Sequence, residues 1–135
     1  MEKFIFGYYI DNDVHFDLKR QILVNVDPIQ RARRRTQVIL RDTMFRLFVY
    51  LLEHANGSII NNTALLMEVW DKYGLSSSNQ RLWQVVQALK EKLALVGIPS
   101  DFIMRIESKG YYVREHMITV LYSDRTPAPY IRQSI

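Results

Sequence analysis

The stretch that most constrains the fold runs from Ser76 to Val113 and reads SSSNQRLWQVVQALKEKLALVGIPSDFIMRIESKGYYV. It predicts a polar loop, an amphipathic helix and a β-hairpin, in that order. Apolar residues recur in the helical part at steps of three and four, which places them on one stripe of a helix. They are Leu82, Val85, Val86, Leu89, Leu93 and Val96. Gly97, Ile98 and Pro99 predict the end of the helix.

The opposite face of this helix is rich in glutamine. It carries Gln80, Gln84, Gln87 and Glu91, with Arg81 and Ala88 on one flank and Trp83 and Lys90 on the other. A solvated helix face usually carries Glu and Lys, whereas side-chain amides form paired hydrogen bonds with the edge of adenine in a major groove. The face therefore predicts a DNA-reading surface. The alternatives are an ordinary polar outer face and a Trp83 that packs rather than stacks on a sugar or base.

The first forty residues predict a small antiparallel sheet. β-rich runs at 4–10, 14–18 and 22–26 are separated by turn residues, and 37–40 predicts a short strand that returns to the sheet. The segment between the last two strands, Gln30 to Thr36, is predicted to be a loop and contains Arg31, Arg33, Arg34 and Arg35. This arginine cluster is either a solvated loop or an arm that binds the phosphates of a polyanion.

Two helices are predicted between the sheet and the amphipathic helix. The first begins at Asp42, whose carboxylate is placed to accept hydrogen bonds from first-turn amides, and ends at Asn56-Gly57. Ile59-Ile60 predicts a brief extended piece. A second helix, capped by Asn61, runs to the segment Lys72 to Gly74. The helical region as a whole is predicted to span residues 42–96.

The ends of the third helix and the hairpin also have recognisable signals. Ser77, three residues before Gln80, has the spacing of a capping box. The hairpin spans residues 102–113, with strands at 102–106 and 111–113, and Gly110 is predicted to supply a positive φ in the turn. One more strand is predicted at 117–122. One domain is thus expected over residues 1–122, followed by a proline-containing tail or linker at 123–135.

Composition restricts the class of protein. A chain of 135 residues that is 48% hydrophobic fits one compact domain. It contains no cysteine, and its longest apolar run, Leu47 to Leu52, is too short to span a membrane, so we expect a soluble, cytoplasmic chain. His15, His54 and His116 lack metal-ligand spacing, and neither a phosphate-binding glycine loop nor a nucleophile elbow is present. We therefore expect no enzyme activity, metal or cofactor.

Over roughly residues 4–113 the sequence resembles the DNA-binding domain of OmpR/PhoB-type response regulators, and within that superfamily the ToxR-like regulators. The motifs that carry the resemblance follow one another in the family's order. They are Leu47-Phe48, Ile59-Ile60, Leu65 with Val69-Trp70, the run Leu89-Lys90-Glu91-Lys92-Leu93, and Gly110-Tyr111. The resemblance implies an α+β fold, the winged helix-turn-helix, with an N-terminal antiparallel sheet, three helices and a C-terminal β-hairpin, the wing.

The resemblance also implies a function, a bacterial transcriptional regulator that binds specific sequences in double-stranded DNA. Its third helix would lie in the major groove and its wing on the backbone or minor groove. The residues expected at the DNA are Arg81, Trp83, Gln84, Gln87, Ala88 and Lys90 on the helix, Arg105 and Lys109 in the wing, and Arg33 and Arg34 in the arginine cluster. Glu91, Glu107 and the short Ala88 depart from the family pattern. The alternative is a winged-helix protein–protein interaction module without DNA binding.

Further partners are implied by the same resemblance. The loop from Asp71 to Ser76, with Tyr73 and Leu75, is a candidate contact for RNA polymerase. Two or more copies are expected on DNA, as a homodimer or in tandem, through the N-terminal sheet or this loop. A phosphorylatable receiver domain does not fit before the first helix. A membrane tether is expected only if the chain continues beyond residue 135.

Overall fold

The computed structural model describes residues 3–31 and 37–124. Its larger sheet is antiparallel and has five strands. They are β1 (Phe4–Ile10), β2 (Val14–Asp17), β3 (Ile22–Asn25), β4 (Gln37–Ile39) and β8 (Ile118–Ser123), in the spatial order β4-β3-β2-β1-β8. A smaller sheet has the order β5-β7-β6 and consists of β5 (Ile60–Asn61), β6 (Ile103–Ile106) and β7 (Gly110–Val113).

The larger sheet has one face against the helices because its side chains alternate between two sides. Tyr8 is paired with Phe16, Phe16 with Leu23, and Leu23 with Val38, so one buried row crosses four strands. Phe16 also lies 5.0 Å from Phe48, ring centroid to ring centroid, which joins the sheet to the helical layer. The predicted N-terminal sheet is confirmed.

The described residues contain four α-helices. They are α1 (Pro28–Arg31), α2 (Asp42–Glu53), α3 (Asn62–Leu65) and α4 (Asn79–Leu95), and α3 continues as a π-helical segment (Leu66–Trp70) and a 3-10 turn (Asp71–Tyr73). The three predicted helices correspond to α2, α3 with its continuation, and α4. Their buried stripes meet in one core, in which Leu47, Phe48, Leu65, Trp70 and Leu89 are all at most 2% exposed.

One helical turn appears where only a loop was predicted. Pro28–Arg31 is helical, whereas the sequence interpretation placed a loop from Gln30 onward. The side chain of Asp27 accepts a hydrogen bond of 3.0 Å from the Ile29 amide, and Pro28 stands at the first helical position, where its missing amide costs nothing. The Asp-Pro pair therefore starts a turn before the arginine cluster. The rest of that cluster, residues 32–36, lies outside the described residues.

The predicted caps of α2 and α3 are wrong in detail. Arg41 occupies the N-cap position of α2 with an extended backbone, and no side chain caps this end. Asp42 is one position too late, and its φ of 47° is the left-handed conformation. Asn61 does occupy the N-cap position of α3, but its side chain makes no capping hydrogen bond. The last residue of α2 is Glu53, so the helix stops before Asn56-Gly57.

The N-cap of α4 is Ser78 rather than Ser77. The Ser78 hydroxyl accepts a hydrogen bond of 3.0 Å from the Arg81 amide, while the Ser77 hydroxyl donates one of 2.8 Å to Asp71 Oδ1. Consecutive serines made the position of the cap ambiguous by pattern alone. The predicted C-terminal end is confirmed: Gly97 has a φ of 96°, and the Ile98 amide donates to the Leu93 carbonyl, the arrangement of a Schellman motif.

The predicted last strand is β8, and it returns to the N-terminal sheet. β8 pairs with β1 in antiparallel register, from Ile10 opposite Ile118 to Phe4 opposite Ser123. The strand therefore ends one residue beyond the predicted domain limit, and residues 125–135 of the predicted tail lie outside the described residues. Within the described ranges no helix has the length and apolar character needed to cross a membrane.

Candidate nucleic-acid interface

The helix α4 is held with one face inward and one face outward. Leu82, Val86, Leu89 and Leu93 are buried, and each follows the last by three or four residues. The outward face contains the glutamines. Arg81, Trp83 and Gln84 are exposed, with Trp83 at 44%, while Gln87, Ala88 and Lys90 are partly buried. The structure thus brings the six predicted helix residues to the surface of a single rigid element.

A buried polar contact connects the C-terminal end of α4 to the sheet. The Asn25 side-chain amide donates a hydrogen bond of 2.7 Å to the Val96 carbonyl, and its oxygen accepts one of 2.9 Å from the Asp27 amide. Asn25 is 2% exposed. Because an unpaired amide at such depth is costly, this contact fixes the position of the helix end relative to β3. The sequence interpretation missed Asn25, since one polar residue at the end of a strand resembles a turn signal.

The wing consists of β6 and β7, joined by a three-residue turn, Glu107 to Lys109. Its two predicted contact residues, Arg105 and Lys109, are both exposed. The positive φ of the turn belongs to Ser108, at 63°, and not to Gly110 as predicted. Gly110 lies in β7 instead, where a Cβ would overlap the carbonyl oxygen of Ile60 in β5. Glycine is therefore required at position 110, because β5 and β7 approach each other closely there.

Two cations outside the predicted DNA contacts lie near the C-terminal end of α4. Arg41 and Lys92 line a cleft of about 490 Å³ together with Gln37, Val38, Ile39 and Met44. Lys92 belongs to the Leu89–Leu93 run, so a sequence signal for it existed. Arg33 and Arg34, the predicted arm, lie outside the described residues.

The loop between α3 and α4 is oriented by contacts with α2. The guanidinium of Arg46 lies 4.1 Å from the ring centroid of Tyr73, a cation–π distance, and Arg46 also donates to the Thr43 hydroxyl. Tyr73 and Leu75 remain 53% and 41% exposed. Two apolar side chains at this loop therefore face solvent.

Two buried tyrosines have raised pKa values. Burial raises the pKa of Tyr111 in β7, and the nearby Arg105 partly opposes that rise. Burial, followed by the charges of Glu53 and Tyr122, raises the pKa of Tyr8 to about 12. Both shifts keep a buried phenol neutral. Among residues 3–31 and 37–124, no group of three His, Asp or Glu side chains is placed to hold a metal ion.

The family described as "Transcriptional regulatory protein, C terminal" matches residues 35–113, which run from the end of the arginine cluster through the wing. The chain belongs to this family. It is a DNA-binding transcriptional regulator with the winged-helix domain of OmpR/PhoB type, and the family is one of regulators rather than enzymes. A search of curated proteins finds no match.

Solved structures share the fold at low sequence identity. The DNA-binding domain of E. coli CadC superposes with a TM-score of 0.67 at 14% identity, covering 89% of this chain and 100% of that one. The Klebsiella pneumoniae RstA DNA-binding domain in complex with the RstA box gives 0.57 at 19% identity, over 86% of this chain and 100% of the other. The AdeR DNA-binding domain in complex with an intercistronic region gives 0.54 at 12% identity, over 76% and 94%. The predicted winged-helix fold is confirmed.

Proposed function

We propose that this regulator binds specific sequences in double-stranded DNA, with α4 in the major groove and the wing on the adjacent backbone or minor groove. The observation that carries the proposal is the outward face of α4. It presents side-chain amides and cations on a helix whose other face is fully buried. The complexes of RstA with its box and of AdeR with an intercistronic region, both of this fold, support duplex DNA as the ligand.

The residues would divide the work between base reading and phosphate binding. Gln84 and Gln87 would hydrogen-bond base edges, because their amides carry both a donor and an acceptor. Arg81 and Lys90 would bind phosphates on either side of the groove, which sets register without reading sequence. Trp83 would stack on a sugar or base.

The wing and the arginine cluster would extend the phosphate contacts. Arg105 and Lys109 are exposed on the hairpin, and we assign Arg33 and Arg34 to a basic arm. Ala88 leaves room for close approach of the helix to the groove. Each phosphate neutralised contributes about −0.9 to the slope of log affinity against log salt concentration, so a handful of contacts gives steep salt dependence.

Selection of duplexes from a random pool tests the function directly. At near-physiological salt and with competitor DNA, we expect one reproducible enriched motif. The competing function is a protein–protein interaction module, which the acidic Glu91 and Glu107 favour. A pool that stays random over successive rounds, with folded protein, would favour that module instead.

Finer assignments extend this proposal. We place the chain in the ToxR-like subgroup of bacterial regulators, acting in the cytoplasm, with residues 1–122 as its domain and the remainder as a tail or linker. Reading the gene beyond codon 135 tests for an apolar span and therefore for a membrane tether.

We further propose that the exposed Tyr73 and Leu75 contact RNA polymerase. Crosslinking from these positions to polymerase subunits tests that contact.

A further inference from the structure

The strand β8 is an unprotected edge. It pairs with β1 on one side, and within the described residues no strand pairs with its other side. Edge strands are usually kept short or carry a charge or a proline, because their free backbone groups attract other strands. β8 is six residues long, ITVLYS, with neither a charge nor a proline. At the opposite edge, β4 has only three residues.

The hydrogen-bond pattern identifies which backbone groups are available. The Asp11 amide donates a hydrogen bond of 2.6 Å to the Met117 carbonyl, so Asp11 and Met117 form a hydrogen-bonded pair. Bonded and non-bonded pairs alternate along an antiparallel ladder. Thr119 and Leu121 therefore direct their amides and carbonyls toward β1. Those of Ile118 and Val120 point away from the sheet. The register shifts between Ile5 and Gly7 of β1, but β8 continues without an extra residue, so the amide and carbonyl of Tyr122 point away as well.

The side chains of these outward-bonding residues form an apolar margin on the helix-facing side. Ile118, Val120 and Tyr122 line a cleft of about 480 Å³ with Ile5, Tyr8, Leu52, Glu53, Ala55 and Glu115. Tyr122 is 53% exposed. The same strand thus offers free backbone groups and apolar surface to one partner.

We propose that β8 pairs with β8 of a second copy of this chain, antiparallel about a two-fold axis at Val120, so that two five-stranded sheets become one continuous sheet. In this register Val120 lies opposite Val120, and Ile118 lies opposite Tyr122 of the second copy. Only residues with outward backbone groups face each other, which allows up to about six hydrogen bonds. All their side chains remain on the helix side.

Lys3 and Glu115, of opposite sign, lie at opposite ends of β8 and favour an antiparallel second copy over a parallel one. Lys3 lies beside the end of the strand, with its ammonium nitrogen 5.9 Å from the Tyr122 ring centroid. Glu115, exposed, precedes the start of the strand. Antiparallel pairing brings Lys3 of one copy toward Glu115 of the other, twice by symmetry. Parallel pairing would instead place like charges together.

The dimer would relate two copies of α4 by a two-fold axis and would therefore favour inverted repeats in DNA. The pairing itself needs no DNA, so it can be tested independently of the proposed function. Binding of a single half-site reports that function, whereas the mass of the free protein reports the pairing.

Sedimentation of the full chain over a range of concentrations tests the pairing. We expect the apparent mass to double with concentration. Val120→Pro removes an amide that points away from β1, so it should fold and remain monomeric. Thr119→Lys adds a charge on the exposed opposite face and should still dimerise. A single monomeric mass at every concentration, or an unchanged dimer with Val120→Pro, would overturn the proposal.

Amide exchange gives a second readout at single residues. The amides of Ile118, Val120 and Tyr122 should exchange more slowly as the protein is concentrated, while those of Thr119 and Leu121 should not change. Tyr122→Lys, at an exposed position, should abolish the effect and serves if Val120→Pro does not fold. Protection that is independent of concentration and lost on removal of residues 125–135 would identify the chain's own tail as the occupant and overturn the proposal.

Discussion

The Asn25 side chain of the N-terminal sheet donates its amide to the Val96 carbonyl at the end of α4, at 2.7 Å. This contact joins the strand β3 to the helix proposed to read DNA. The two residues are 71 positions apart in the chain. The sheet therefore supports α4 in addition to covering the core.

Asn25→Ala should destabilise the domain by about 1–3 kcal/mol, because the Val96 carbonyl would be left buried without its donor. Urea denaturation measures the loss. Asp27→Ala is the matched control, since Asp27 makes an exposed hydrogen bond nearby, and it should cost less than about 1 kcal/mol. Equal losses for both variants would show that the Val96 contact has no special weight.

Gln87→Ala should weaken the preferred duplex by about 1–3 kcal/mol and relax base preference at one position. Lys90 is proposed to bind phosphate rather than a base edge. Lys90→Ala should therefore weaken specific and random duplexes alike and reduce the slope of log affinity against log salt concentration by about one. Fluorescence anisotropy with both duplexes separates the two effects. Equal loss on both duplexes for Gln87→Ala would contradict its role in base reading.

Gly110→Ala should cost more than about 3 kcal/mol, since the added Cβ would overlap the Ile60 carbonyl and push β7 away from β5. Gly74→Ala is the control for backbone strain alone. Gly74 has a φ of 71°, and an added Cβ there would meet no other atom within 4 Å, so we expect a cost of about 1 kcal/mol. Thermal unfolding of both variants provides the comparison, and a smaller loss for Gly110→Ala than for Gly74→Ala would refute the close-approach argument.

Alkaline pH should destabilise the domain through Tyr8. Its pKa is raised from 10.0 to about 12, mainly by burial, so the unfolded chain loses the phenol proton first. Its stabilising contribution is complete below pH 10 and is lost as pH rises to about 12, with a magnitude on the order of 2 kcal/mol. Tyr8→Phe should flatten the plot of urea denaturation midpoint against pH in this range. Tyr73→Phe, which removes a hydroxyl at an exposed position, is the matched control.

Patterns along the chain were sufficient to predict the main elements. The apolar steps from Leu82 to Val96 predict α4, which runs from Asn79 to Leu95, because they reflect a face packed against the core. The β-rich runs between turn residues predict β1 to β3. The resemblance supplied the order of helices and wing. The predicted DNA contacts on α4 lie on its surface, and their roles remain predictions.

Local hydrogen bonds and long-range contacts were not predictable in the same way. Ser77 and Ser78 have equal propensity to cap a helix, and only the direction in which the chain enters α4 selects Ser78. The local sequence places Gly110 in the turn. Its real constraint comes from Ile60, fifty residues earlier in the sequence, and no local pattern reveals such a contact. The pairing of β8 with β1 likewise depends on a contact between distant parts of the chain.

The register of β8 on β1 places Phe4 opposite Ser123, at one corner of the domain. A force that pulls these two positions apart would break the hydrogen bonds between β1 and β8 one after another. Strands pulled in this geometry separate at low force, whereas strands sheared along their length resist. Mechanical tension across this corner would thus detach β8 first and leave the helices and the wing in place.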